Sequence, residues 1–186
     1  MNIFYLSNDV NDCAKQHVDK HVVKMIIEYA QLMSTAHRVL DGDMYMDKTK
    51  NNRNIKRWRL SSNLESIVYK ASHINHPSAI WVRESKEHYM WLYNLFVALG
   101  KEYTYRYGKI HLSNQLLNEV LNESPFNIPD KEWIDPPPAM EKMYPQCIVE
   151  GDTIQSYRNY YIEAKAYFAK WSKRTTPEWF NGEMIV

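Results

Sequence analysis

The chain has 186 residues, 45% apolar and 24% charged, with a formal net charge of +1, which suits one domain over residues 1–186 built on a single core. Two cysteines, Cys13 and Cys147, exclude a disulfide framework and point to a reduced, cytoplasmic protein. The apolar start, Met1 to Leu6, is too short for a signal sequence or a membrane span, so no membrane partner is expected.

Only five glycines occur and long periodic segments dominate, so the fold class is mostly α: a helical bundle around one central buried helix. Asn2 to Ser7 reads as a short β-like run with alternate side chains inward. Asn8-Asp9 turns the chain, and Asn11 or Asp12 caps a helix predicted over 12–40. Steps of three and four place His17, His21, Lys24, Glu28, Gln31, Thr35 and Arg38 on one polar face of an otherwise apolar rod. That face is expected to line a cleft. Asp41-Gly42 ends the helix, with Gly42 in the left-handed conformation.

Residues 43–60 are polar and basic and read as a mobile loop, with Lys48, Lys50, Arg53, Lys56, Arg57 and Arg59 facing solvent. Trp58 in that strip is suited to stacking on a base. A short helix is predicted within 61–70. Pro77 opens another helix, which leaves His73, Asn75 and His76 on the loop before it. A long helix follows from Ser85 to Tyr107 and stops at Gly108, and Ser113 caps a shorter one to Leu121. Residues 124–151 hold six of the eight prolines and are expected to wrap the body, anchored by Phe126, Ile128, Trp133 and Met140. Asp152 caps a last helix to about Trp171, with Arg158 and Lys165 on one flank. Six basic residues within 48–59 and eight acidic ones within 119–152 predict a basic and an acidic side.

Four clusters offer chemistry. Lys20, Lys24 and Glu28 stand one helical turn apart. A lysine crowded by apolar surface and a second cation is a usable nucleophile, and Glu28 a general base, although a salt-bridged helix face has the same spacing. His17 and His21 have the spacing of a metal-binding pair that His73, His76 and His111 could complete, as in a histidine metalloenzyme. Without an HExxH or paired-cysteine motif, no metal and no cofactor is expected. Asn75 and His76 with Arg83 suit a base edge or a phosphate, or simply a helix cap. The basic loop is the fourth, with solvation as its plain alternative. No glycine-rich phosphate loop or GxSxG elbow is present, which argues against a nucleotide-dependent kinase or an α/β-hydrolase.

The segments DKHVVKMIIEYAQLMSTAHRVLDG, HINHPSAIWVRES, YTYRYGKIH, SYRNYYIEAKAYFAKW and RTTPEWF resemble a family of small phage-encoded proteins. That family is similar to the pyrimidine-dimer DNA glycosylases and to the α-glutamyl/putrescinyl-thymine pyrophosphorylase group, whose K-x-x-x-K-x-x-x-E helix and N-H-P-x-x-x-x-W segment correspond to Lys20, Lys24, Glu28, Asn75, His76 and Pro77. Trp81 comes one residue early. The resemblance implies a DNA-modifying protein in the cytoplasm of an infected host that takes a pyrimidine out of the stack. It would either cleave the glycosidic bond or join a small amine or amino acid co-substrate to an activated 5-hydroxymethylpyrimidine.

On that reading Lys20 or Lys24 is nucleophile or proton shuttle, Glu28 the base, and His76 acts on the leaving group. His17, His21, His73, Asn75 and His111 contact the substrate, while Arg83, Arg106 and Arg158 hold phosphate. The dimer glycosylases use an α-amino group exposed by loss of Met1 together with a helix glutamate. Here Lys24 aligns with that glutamate, and Asn2 is bulky for removal of Met1. A non-catalytic nucleic-acid binder is the alternative.

Overall fold

The computed structural model describes residues 1–181 and 183–185 and is mostly α-helical. Its helices are α1 (Val10–Gln16), α2 (Asp19–Asp41), α3 (Pro77–Glu84), α4 (Lys86–Tyr107), α5 (Leu112–Leu121) and α6 (Thr153–Lys165), and one hairpin joins β1 (Asp43–Lys48) to β2 (Asn54–Arg59). Among the described residues no helix is long and apolar enough to cross a membrane.

The helix predicted over 12–40 is two helices. It is capped earlier than expected, by Asp9, whose carboxylate accepts from the Asn11 and Asp12 amides, and it breaks at His17-Val18, both extended. Distant side chains cause the break. The Lys15 and His17 carbonyls accept from the Arg106 guanidinium, each at 2.9 Å, and the Gln16 carbonyl from the Trp171 indole at 2.8 Å. Those carbonyls therefore end α1 instead of continuing a ladder. The Asp19 amide then bonds the Lys170 carbonyl as α2 begins.

α2 is the centre of the molecule. It packs on α3, α4 and α5, while α1 lies against α4. Its buried residues run from His21 to Arg38 and leave an exposed stripe of Lys20, Val23, Lys24 and Ile27. Glycine ends it for a reason other than the one expected. Gly42 is extended, with φ −99°, and a Cβ there would stand 2.5 Å from the Arg38 carbonyl oxygen. Close approach, not left-handedness, requires glycine.

Residues 2–7 form no strand. Ile3, Phe4, Tyr5 and Leu6 are all buried, so side chains of both parities face the core. Other side chains satisfy their backbone: the Phe4 amide donates to the Tyr29 hydroxyl, the Phe4 carbonyl accepts from the Cys13 thiol, and the Leu6 carbonyl accepts from Arg158. Such pairing is what a buried extended segment outside a sheet requires.

The basic stretch is a β-hairpin rather than a mobile loop, in register Asp43↔Arg59 through Lys48↔Asn54. Arg38 fastens its base, donating to the carbonyls of Trp58, Glu65, Val68 and Tyr69 and to the Glu65 carboxylate. Residues 61–70 contain a 3-10 turn, Asn63–Ser66, in place of a helix. α3 and α4 follow the predicted bounds, with Pro77 in the first turn of α3, Ser85 capping α4 and Gly108 left-handed at φ 69°. α5 is capped by His111, not Ser113: the ring Nδ1 accepts from the Ser113 amide. Within 124–151, Met140 is buried, and Ile128 and Trp133 are half-buried. Phe126 is 92% exposed and anchors nothing. α6 ends at Lys165 and a 3-10 turn, Ala166–Phe168, carries the chain onward, so the last helix is shorter than predicted.

Candidate functional site

The polar face of the central helix divides on folding. His17 and His21 are buried and held by tyrosines. His17 Nδ1 lies 2.7 Å from the Cys13 carbonyl, so it carries the proton; Nε2 is then the acceptor for the Tyr29 hydroxyl at 2.9 Å. The Phe4 amide donates to that same hydroxyl, completing a chain from backbone N–H through tyrosine and imidazole to a carbonyl. Burial pushes His17 down to about 4. His21 Nδ1 lies 2.7 Å from the Tyr161 hydroxyl and is pushed down to about 2, again by burial, with the His17, Lys165 and Lys24 charges adding. These two histidines are core groups, not substrate contacts. His111 is a buried helix cap. Among the described residues no group of three or more His, Cys, Asp or Glu is placed to hold a metal ion. The histidine-metal alternative therefore finds no ligand set there.

Arg106 is equally committed. Its side chain is fully covered and donates to Glu102 (2.7 Å), Asp19 (2.9 Å) and the Lys15 and His17 carbonyls. Arg174 grips the other side of Glu102 with two bonds. Burial works to raise the Glu102 carboxyl, but bonds from Arg174 and Arg106 outweigh it and hold the group below its usual range. This lattice joins α4 to the α1–α2 break and the C-terminal segment, and it leaves Arg106 no role in holding phosphate. Arg83 donates to the Ile74 and Ala79 carbonyls and shapes the loop before α3. Arg158 bonds the Leu6 carbonyl and lies over the Trp179 ring. Both brace backbone.

What remains of the stripe is a small cluster around Glu28. The Lys24 ammonium is 3.2 Å from Glu28 Oε1, and the α-amino group of Met1 is 3.9 Å from Oε2. The carboxylate is mostly covered at 15% exposure, whereas Lys24 is 71% exposed and is not the crowded amine that the spacing suggested. His76 is beside them. Desolvation lowers its pKa, the positive charges of the α-amino group and His73 lower it further, and Glu28 works in the opposite direction. Its Nδ1 accepts from the Ser78 amide at 3.2 Å, so the neutral ring carries its proton on Nε2 and can donate outward. His73, at φ 50°, and Asn75 are exposed on the same loop.

Compared with family models, with curated proteins and with solved structures, the chain matches none. The geometry alone defines the site.

The structure thus brings Lys24, Glu28, His73 and His76 together and adds one group that spacing did not supply, the α-amino group of Met1. The apolar run 3–6 is the available signal, since a segment covered on all sides fixes whatever precedes it. Lys20 stands apart, with its ammonium 4.8 Å from the Phe168 ring centroid. The hairpin residues form a separate patch. Lys48, Lys50, Arg53, Lys56 and Arg59 are exposed there, while Arg57 is partly covered and donates to the Ala71 carbonyl. Chemically, the Glu28 cluster offers two amines on one carboxylate that can take a proton from either, with a neutral imidazole N–H alongside.

Proposed function

We propose that the protein acts on a pyrimidine of DNA held out of the base stack, through an amine poised on Glu28. The carrying observation is the Lys24 ammonium 3.2 Å from an oxygen of one largely covered carboxylate, Glu28, with the His76 ring beside it. Glu28 accepts a proton from the amine and so frees a nucleophile; once that proton has moved on, the carboxylate is again the anion that stabilises positive charge developing at the reacting carbon. In the cleavage form, the amine attacks C1′ and the base departs with the glycosidic electron pair. The His76 Nε2–H gives its proton to that leaving base. The nitrogen now bonded to C1′ passes a proton to O4′ as the C1′–O4′ bond breaks, and water hydrolyses the iminium so formed and frees the amine. In the transfer form, the same carboxylate deprotonates a small amine or amino acid co-substrate, which displaces the activated group on the 5-methylene carbon. The fit with a pyrimidine rests on the resemblance of the helix and N-H-P segments; the amine chemistry rests on the geometry.

The test is mass spectrometry of duplexes carrying thymine, 5-hydroxymethyluracil or its pyrophosphorylated form after incubation with protein, with and without borohydride. A mass change or a reduced protein–DNA adduct that Glu28→Gln abolishes is expected, and peptide mapping of the adduct identifies the amine. Unaltered DNA and no adduct on all three substrates would refute the enzyme.

The exposure of Lys24 and the protruding hairpin favour a second reading, a nucleic-acid binder without catalysis. Lys24→Ala and Glu28→Ala would then leave affinity intact, while Lys48→Ala, Lys56→Ala and Arg59→Ala would weaken it and flatten its salt dependence.

A further inference from the structure

Beside the Glu28 cluster, a band of lysines and aromatic rings crosses the outer face of the molecule. Lys20 and Lys24 project from the exposed stripe of α2, and Lys20 lies over the Phe168 ring. Tyr167, next in chain, meets Phe168 edge-on at 4.8 Å and is itself 85% exposed. On α6, Lys165 lies 4.7 Å from the centroid of the Tyr160 ring. Tyr160 closes the gap to the site: its ring is stacked 6.3 Å from Phe4, in the segment that places the α-amino group, and its hydroxyl feels the Lys24 charge. The nearest opposing carboxylate on α6, Glu163, is bonded by Gln146.

We infer that this band is a track for an unpaired DNA strand, leading from Tyr167 and Phe168 past Lys20 and Lys24 to Glu28. Two properties specify the occupant. Three lysines supply phosphate contacts without a paired groove, and a tyrosine held open to solvent offers a face on which any base stacks. The inference rests on the Glu28 reading for its direction but not for its existence. The hairpin patch, by contrast, is cationic but presents Met44 and Met46 rather than open rings.

Fluorescence anisotropy with labelled oligothymidylate and with a matched duplex, over a salt series, tests the track. Tyr167→Ala combined with Phe168→Ala is expected to weaken single-strand binding about tenfold or more, the scale of one lost base stack. Lys20→Ala and Lys165→Ala should each reduce the salt slope by about 0.7, one phosphate's share on a single strand. Lys20 and Tyr167 are exposed, whereas Lys165 is half-buried and Phe168 is half-buried against His21. Tyr167→Ala alone, with an unchanged melting temperature, is therefore read beside the double variant and should also weaken single-strand binding. Single-strand affinity within twofold of wild type in the double variant would overturn the inference. So would binding confined to duplex and lost with Lys48→Ala, Lys56→Ala and Arg59→Ala. Track-dependent binding with neither a trapped adduct nor a mass change on the DNA would sink the chemistry while upholding the track, so the two fail separately.

Discussion

Tyr29→Phe removes one oxygen and should have an outsized effect. That hydroxyl accepts from the Phe4 amide at 3.2 Å and donates to His17 Nε2 at 2.9 Å, and Tyr29, Phe4 and His17 are at most 4% exposed. Phenylalanine fills nearly the same volume, so there is little cavity term. The loss is instead two buried polar atoms without partners, each costing about 1–3 kcal/mol. A total of about 2–6 kcal/mol is expected, a sizeable share of the ~5–15 kcal/mol typical of a domain. Urea unfolding followed by far-UV circular dichroism reads it as a lower midpoint with an unchanged slope. The same variant loosens the segment that positions the α-amino group, so any adduct formed at that amine should fall with it. A stability loss under about 1 kcal/mol would show that residues 3–6 are held by burial alone and refute the hydrogen-bond argument.

Stability should also fall as the solution is made acidic. Folding depresses the pKa of His17 to about 4 and of His21 to about 2, so the unfolded chain binds more protons below about pH 6.5. The contribution is complete above pH 6.5 and erodes from there through pH 4; between 6.5 and 5 each histidine accounts for up to about 2 kcal/mol, measurable as a falling urea midpoint. Arg106→Met should destabilise by about 3–5 kcal/mol by removing the covered cation that Glu102 and Asp19 share and leaving them only Arg174 and Ser172 as partners. In that variant limited proteolysis should cut near His17-Val18, and unchanged resistance would contradict the role given to Arg106 in the helix break. Gly42→Ala should cost about 1–3 kcal/mol, because its Cβ meets backbone oxygen; Gly108→Ala, strained but with open space around it, should cost about 1 kcal/mol. Thermal melts rank the pair, and the reverse order would be contrary evidence.

Which features were legible follows from where their causes lie. The α4 boundaries are written locally, in the Ser85 cap and the Gly108 turn, and Pro77 likewise announces α3. The break in the central helix is not local: Arg106 and Trp171, which take its carbonyls, stand 89 and 155 residues away from their partners. The hairpin is masked by charge on both faces and by a turn without Asn-Gly, in which Asn52 takes φ 57°. For the site, periodicity correctly put Lys24 and Glu28 on one face, but it is blind to what covers that face. Tyr29 and Tyr161 turn His17 and His21 inward, and only the fold shows this. His76 was findable from Pro77. Asn2 and the alignment of Lys24 with the helix glutamate argue against the α-amino group, so the sequence masks its approach to Glu28.

Phe4 and Leu6 take partners from far apart in the sequence: Tyr29 is 25 positions beyond Phe4, and Arg158 is 152 positions beyond Leu6. The segment is therefore a seam that closes fully only when α6 docks beside α2, so a change in α6 is felt at the Glu28 centre without touching any residue of it.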